Sequence, residues 1–206
     1  MREFVYKKKD RKLRIFNDFL SIIVIALGIY LIIMPLLPEM SYWIKLKTGK
    51  ISNEIAYSDN NQPGTKPLPQ DNRLVIPQMG LDTSINEGKY SDTLKKGVWR
   101  RPLTSTPDKG GNTVIVGHRF TYSDGPAIFY HLDKLKVGDQ FAVFWQGKKH
   151  LYQAQEVRVV EPHQTEIEQN TDEPTLTLYT CTPMWTSKQR LVVIAKPVED
   201  NQSNHE

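Results

Sequence analysis

Beyond residue 72 the apolar positions of this chain arrive in short runs, separated by segments rich in Gly, Pro and Asn. The clearest are Leu74–Ile76, Thr113–Val116, Phe141–Trp145, Leu151–Val160, Leu176–Tyr179 and Leu191–Ile194. Around the fifth, Leu176, Leu178 and Thr180 alternate with Thr175, Thr177 and Tyr179, the two-residue period of a strand with one buried face. Leu191–Ala195 is apolar throughout, as a central strand is. Amphipathic helical spacing is scarce, so the pattern predicts an all-β fold, a closed or nearly closed β-barrel in preference to a doubly wound sheet. About 130 residues make one domain with one core, and a helical turn is expected at Pro126–Leu132.

The N-terminal third follows a different pattern. Phe19–Leu37 is nineteen residues without a charge, and at 1.5 Å per residue such a helix covers roughly the 30 Å hydrocarbon core of a bilayer. A cleaved signal peptide carries a shorter apolar run, roughly 7 to 15 residues, followed by a small-x-small site, and neither is found here. Residues 19–38 therefore read as an uncleaved transmembrane helix, with Pro35 and Pro38 near its far end and Tyr42 and Trp43 as interfacial aromatics. Residues 39–72 lose the hydrophobic period and become rich in Asn, Gln, Pro and Lys, which predicts an extracellular juxtamembrane segment and linker. Ser41–Ile51 could prolong the helix at its start. The folded domain is expected at 71–199, followed by a polar tail at 200–206.

Charge adds an orientation. Residues 1–18 hold seven Lys or Arg against three acids, which accounts for the whole formal charge of +4. A basic cluster before a span places the N-terminus in the cytoplasm and everything after the span outside the cell membrane. The remainder is close to neutral, so no nucleic-acid partner is implied.

Chemistry enters with the only cysteine, Cys181, at the end of a predicted strand, with Arg190 nine positions later at the start of the next. If those strands are neighbours, thiol and guanidinium face one pocket. Thiolate is the nucleophilic form of cysteine, and a permanent positive charge both favours it and can stabilise an oxyanion. His118, in TVIVGHRF, ends another β-branched run and supplies a proton carrier. Singly each has an ordinary reading: a small buried hydrophobe, a surface or core histidine, a surface ion pair. Together they form a nucleophile, acid-base and oxyanion-donor set. A lone cysteine outside the cell has no internal disulfide to make.

TLYTC followed by a short loop and an arginine, with GH sixty-three residues before the cysteine, resembles the sortase family of cysteine transpeptidases. GGNTVIVGHR and LDKLKVGDQFAVF fit as well, and the resemblance covers about residues 71–199. It implies an eight-stranded sortase-type β-barrel with short helices in its connections. It also implies that Cys181, His118 and Arg190 are the catalytic cysteine, histidine and arginine, with Thr180 in the substrate-binding position before the cysteine. The implied reaction cleaves an LPxTG-like sorting signal through a thioester and passes the protein to an amine, a peptidoglycan precursor or a pilin lysine. The partners are then surface proteins bearing that signal, and no cofactor is needed. TCTPMWTSKQRL is closest in pattern to classes D and E, with class C open. Pilin-polymerising members carry a lid, which here only Tyr57–Asn60 keep open, and the lack of a clear one favours surface-protein anchoring over pilin polymerisation. A tethered cysteine protease would share the nucleophile and hand the acyl group to water. Thiol with imidazole and thiolate with imidazolium are both compatible with these residues.

His131, His150 and His163 read as surface residues, and the histidines and cysteine show no metal-ligand spacing. The acids Glu166, Glu168, Asp172 and Glu173, with Asp108, are the only grouping that suggests calcium, and they offer little of the six-oxygen cage it needs.

Overall fold

The computed structural model describes residues 3–49, 51, 55, 57 and 65–198. The chain divides into two compact units, residues 1–44 and 45–206. In the second, eight strands close on themselves: β1 (Arg73–Ile76), β2 (Leu81–Glu87), β3 (Val98–Arg100), β4 (Asn112–Val116), β5 (Gln140–Trp145), β6 (Lys148–Val160), β7 (Thr175–Thr182) and β8 (Gln189–Pro197). Their order around the barrel is β1, β2, β3, β4, β7, β8, β6, β5 and back to β1. The pairs β2/β3 and β4/β7 are parallel and the others antiparallel.

The interior is filled by alternate residues from the strands, among them Leu74, Ile76, Val98, Ile115, Phe141, Val143, Leu176, Leu178, Leu191 and Val193, as an eight-stranded barrel requires. The alternation in β7 thus puts Leu176 and Leu178 inside and Thr177, Tyr179 and Cys181 outside. All five residues of β4 are buried because its outer face is covered too, which explains why TVIV reads as uniformly apolar.

Six of the eight strands are visible as apolar runs. β2 is not, because Ile85 is its only buried residue and LDTSINE is otherwise polar. β3 is not, because it has three residues. In place of one helical turn at 126–132 there are turns through Ile128–His131 and a 3-10 turn at Leu132–Lys134.

In the first unit, α1 (Glu3–Ile33) runs through the basic tail without a break, narrows to a 3-10 turn at Met34–Leu36 around Pro35, and continues as α2 (Leu37–Lys47). Proline lacks the N–H of an α-helical bond, so the local tightening falls where expected. Residues 11–47 include a stretch long and apolar enough to cross a membrane. Its large apolar side chains, Ile22, Ile25 and Ile32 among them, are exposed.

The linker docks on the barrel. Tyr57 donates to Asp82 at 2.7 Å and meets Phe144 edge-on at 5.0 Å. With Ile55 and Leu68 it covers Val75, Ala142 and Phe144 of β1 and β5. β1 lies four places round the ring from β7, so Tyr57, the one described residue of the possible lid, is placed across the barrel from Cys181. Residues 58–60 lie outside the described residues.

Candidate active site

Three neighbouring strands, β4, β7 and β8, bring the chemistry together. Cys181 pairs directly with Arg190 across β7 and β8, so both side chains stand on the same face. In the parallel pair β4/β7, Val116 is opposite Tyr179. Two residues further along come His118, just past the end of β4, and Cys181, still within β7. Because Leu178, Leu191 and Val193 point inward, Cys181 and Arg190 stand on the outer face, and His118 lies in the segment that leaves β4 beside them.

The approach to His118 is tightly fixed. Thr180 is 1% exposed, and its hydroxyl donates to the Gly117 carbonyl at 2.8 Å. Gly117 N–H donates to the Tyr179 carbonyl at 3.4 Å. Phe129 N–H donates to the His118 carbonyl at 2.9 Å. A Cβ on Gly117 would stand 2.9 Å from the Phe129 ring, so glycine is required here for close approach. Thr180 thus lies in the wall of the barrel and not in the groove outside it.

Burial lowers the His118 pKa below its ordinary value, with Asp124 acting in the other direction. Its Nε2 is buried and unpartnered. The neutral imidazole is therefore favoured before substrate arrives. Cys181 is half-buried and free. Arg190 Nη1 donates to the Ser187 and Gln189 carbonyls, each at 3.0 Å. These bonds anchor the guanidinium to the end of the β7–β8 loop.

Residues 161–174, between β6 and β7, form a wall over this face. Ile167 packs with Val160 and Val192, against Tyr179 and Ile194. Buried Asn112 donates to the Ile167 and Gln169 carbonyls at 3.0 and 2.9 Å and accepts from Thr177 at 2.8 Å. Glu168 receives Arg101 at 2.9 Å and the Tyr179 hydroxyl at 2.5 Å. Burial and the Glu168 carboxylate both push the Tyr179 pKa well up, which keeps it a donor. On the other flank Phe120, two residues after His118, meets Trp185 of the β7–β8 loop at 5.5 Å.

The acidic residues do not converge: Glu168 is held by Arg101 and Glu173 by Lys196 at 3.1 Å. Among the described residues no group of three or more His, Cys, Asp or Glu is placed to hold a metal ion. His163 is exposed as expected, but His131 and His150 are half-buried. His150 stands on β6 opposite Val143, with its Nε2 buried and unpartnered. The expectation of a surface position fails because β6 begins at Lys148, two residues before His150, and the strand turns it onto the core-facing side.

Sequence reasoning missed Asn112, Arg101 and the role of Tyr179. Tyr179 had a readable signal, the same strand face as Cys181. Arg101 had none, since its partner is sixty-seven positions away.

A family model described as the sortase domain matches residues 74–198. Sortase SrtE1 of Streptomyces coelicolor is 34% identical over 143 residues, 62% of this chain and 40% of that protein. Sortase D of Bacillus subtilis is 28% identical over 129 residues, 61% of this chain and 62% of that one. The chain thus spans less than two thirds of either curated relative. Among solved structures, sortase C-1 from Actinomyces oris matches with a TM-score of 0.57 and 33% identity, covering 63% of this chain and 73% of that one. A lid mutant of Streptococcus agalactiae sortase C1 matches with a TM-score of 0.58 and 26% identity, covering 83% and 91%.

Proposed function

The chain belongs to the sortase family, and from that premise we propose that it is a membrane-anchored cysteine transpeptidase that joins surface proteins to an amine acceptor. The observation that carries the reading is the pairing of Cys181 with Arg190 on one outer face, beside the end of β4 from which His118 follows.

An extended LPxTG-like sorting signal lies over β4 and β7, with residues 161–174 as its wall. As the Cys181 thiol passes its proton to the neutral His118 imidazole, Sγ attacks the carbonyl carbon of the signal's threonine, and Arg190 donates to the oxygen that gains charge. The C–N bond breaks as His118 gives a proton to the leaving glycine amine. The resulting thioester is attacked by the acceptor amine. A new C–N bond forms, the C–S bond breaks, and the amine's proton returns to the imidazole. Thr180 acts through Gly117, not through contact with the peptide. The apolar helix anchors the chain, with the basic N-terminus in the cytoplasm and the barrel outside.

The acceptor is a cell-wall precursor in this reading. Pilin polymerisation is the second reading, favoured by the structural similarity to sortase C1 of GBS Pilus Island 1. Against it stands Tyr57, docked on β1 and β5 across the ring from Cys181. No metal takes part, because Arg101 and Lys196 already neutralise Glu168 and Glu173; EDTA should leave the transfer rate unchanged within error. A calcium-dependent rate would refute that part alone.

The deciding experiment incubates the full-length chain with a quenched sorting peptide, with and without a small amine. Wild type should give the amide product and a thioester adduct on Cys181 by mass spectrometry. Cys181→Ala should give neither while keeping its melting temperature. Turnover by that variant overturns the assignment, and a product unchanged by added amine makes the chain a protease.

A further inference from the structure

His118, two residues past the end of β4, stands level with Cys181 near the end of the parallel strand β7, and both have tied neighbours on either side. One residue before them, the tie is the buried bond from Thr180 to Gly117. One residue after them, Arg119 Nη1 donates to Thr182 Oγ1 at 2.8 Å. The strand ladder gives little help at that second point. β4 ends at Val116, and the bond from Gly117 N–H to the Tyr179 carbonyl is already stretched to 3.4 Å, beyond the usual range of roughly 2.7–3.2 Å.

Arg119 is well placed to replace the ladder. Its side chain is 13% exposed, and Nη2 pairs with Asp133 at 3.2 Å, at the 3-10 turn Leu132–Lys134. One planar, permanently charged group therefore joins the loop that carries the imidazole, the strand that carries the thiol and a third segment. These bonds go to Thr182 and Asp133, so its effect is indirect.

We infer that Arg119 is a positioning residue: by gripping Thr182 it fixes the separation and orientation of the His118 imidazole and the Cys181 thiol. The geometry stands by itself, while the consequence for transfer rests on the transpeptidase reading. Lysine does not substitute, because a single ammonium lacks the fork that spans Thr182 and Asp133.

The test uses the full-length chain in detergent, as wild type, Thr182→Val, Arg119→Gln, Arg119→Lys and the Thr182→Val/Arg119→Gln double variant. The first readout is the pH dependence of Cys181 alkylation by iodoacetamide, which reports coupling of thiol and imidazole without substrate. The second is kcat and KM for a sorting peptide with a small amine. Alkylation at neutral pH should slow about tenfold and its profile move toward that of a free thiol, and kcat should fall roughly ten- to a hundredfold with KM within about twofold. The double variant should be no worse than the worse single, and Arg119→Lys should recover little.

The inference is overturned if Thr182→Val, folded to the wild-type melting temperature, keeps both the wild-type alkylation profile and kcat. It is also overturned if the losses multiply in the double variant, or if wild type already alkylates like a free thiol. Should Arg119→Gln fail to fold, Thr182→Val keeps the side-chain shape and decides alone. A wild-type chain without transfer activity would sink the transpeptidase reading, while the alkylation profiles would still judge the grip of Arg119.

Discussion

On the β4–β7–β8 side, the barrel's outer face is roofed by residues 161–174 through Ile167, packed on Val160 and Val192, and through bonds of buried or half-buried groups: Asn112 to two loop carbonyls and Arg101 and Tyr179 to Glu168. On the β1–β5 side, the roof is the linker, held mainly by apolar contact of Ile55, Tyr57 and Leu68 with Val75, Ala142 and Phe144, with the Tyr57 hydroxyl and the exposed Lys66 ammonium on Asp82 at its edge. Apolar contact is non-directional and scales with area, so it holds a segment down without fixing it finely. Hydrogen bonds to buried groups depend on direction and are costly to leave unmade. The roof beside Cys181 is thus the one whose position is specified closely, as a groove that must orient a peptide requires.

The comparison breaks most sharply at Arg190. Its guanidinium already donates to the Ser187 and Gln189 carbonyls and still has donors to offer toward Cys181. In Arg190→Lys the single ammonium must either hold those carbonyls or reach the oxyanion. We expect kcat to fall on the order of a hundredfold or more with the fold retained, the scale of losing one oxyanion donor. Single-turnover kinetics of thioester formation would check it, and a rate within threefold of wild type would remove Arg190 from the chemistry.

The two roofs separate at the next level. Asn112→Ala leaves the Ile167 and Gln169 carbonyls and the Thr177 hydroxyl without their partner, at a cost of about 3 kcal/mol, and should raise KM for the sorting peptide more than it lowers kcat. Tyr57→Phe removes one hydroxyl bond from Asp82, which Arg73 still holds at 2.7 Å. Its cost is about 1 kcal/mol, and KM should stay put. Urea denaturation with steady-state kinetics on both variants tests the contrast, which disappears if Tyr57→Phe shifts KM as much as Asn112→Ala.

The sequence revealed most of the Cys181 side and little of the opposite side, for physical reasons. Leu176, Leu178 and the run Leu191–Ala195 announce β7 and β8 because burial imposes a period on them. Since Cys181 and Arg190 end and begin those runs, their facing positions follow from pairing alone. The strands β2 and β3 left no trace, because their place is set by backbone bonds to neighbours and by one or two buried side chains each. The ties that fix the site, Arg101 to Glu168 and Arg119 to Thr182, join charged or hydroxyl groups sixty or more positions apart. Their identities carry no period to read. Docking of Tyr57 escaped for the same reason, since a lone aromatic in a polar stretch looks like any linker residue.

The smallest expected effect lies on neither roof. His150 points into the core from β6, ten residues along the strand from Val160, which pairs with Arg190. Burial lowers its pKa, as it does for His118; Asp108 opposes the shift and Lys148 adds to it. A histidine whose folded pKa lies below the ordinary 6.5 binds fewer protons folded than unfolded. Stability therefore rises with pH through that window and is lost as pH falls below about 6.5. His150→Phe cannot protonate and replaces a buried Nε2 that has no partner. Its stability should fall less steeply between about pH 6.5 and 5 than that of wild type, with the His118 share of the slope left in place. The pH profile of transfer should not move, because His150 is remote from Cys181. Chemical denaturation across that range, beside transfer rates, separates two histidines whose shifts have the same direction and cause, and an unchanged slope in His150→Phe would show that His150 is not the group that titrates.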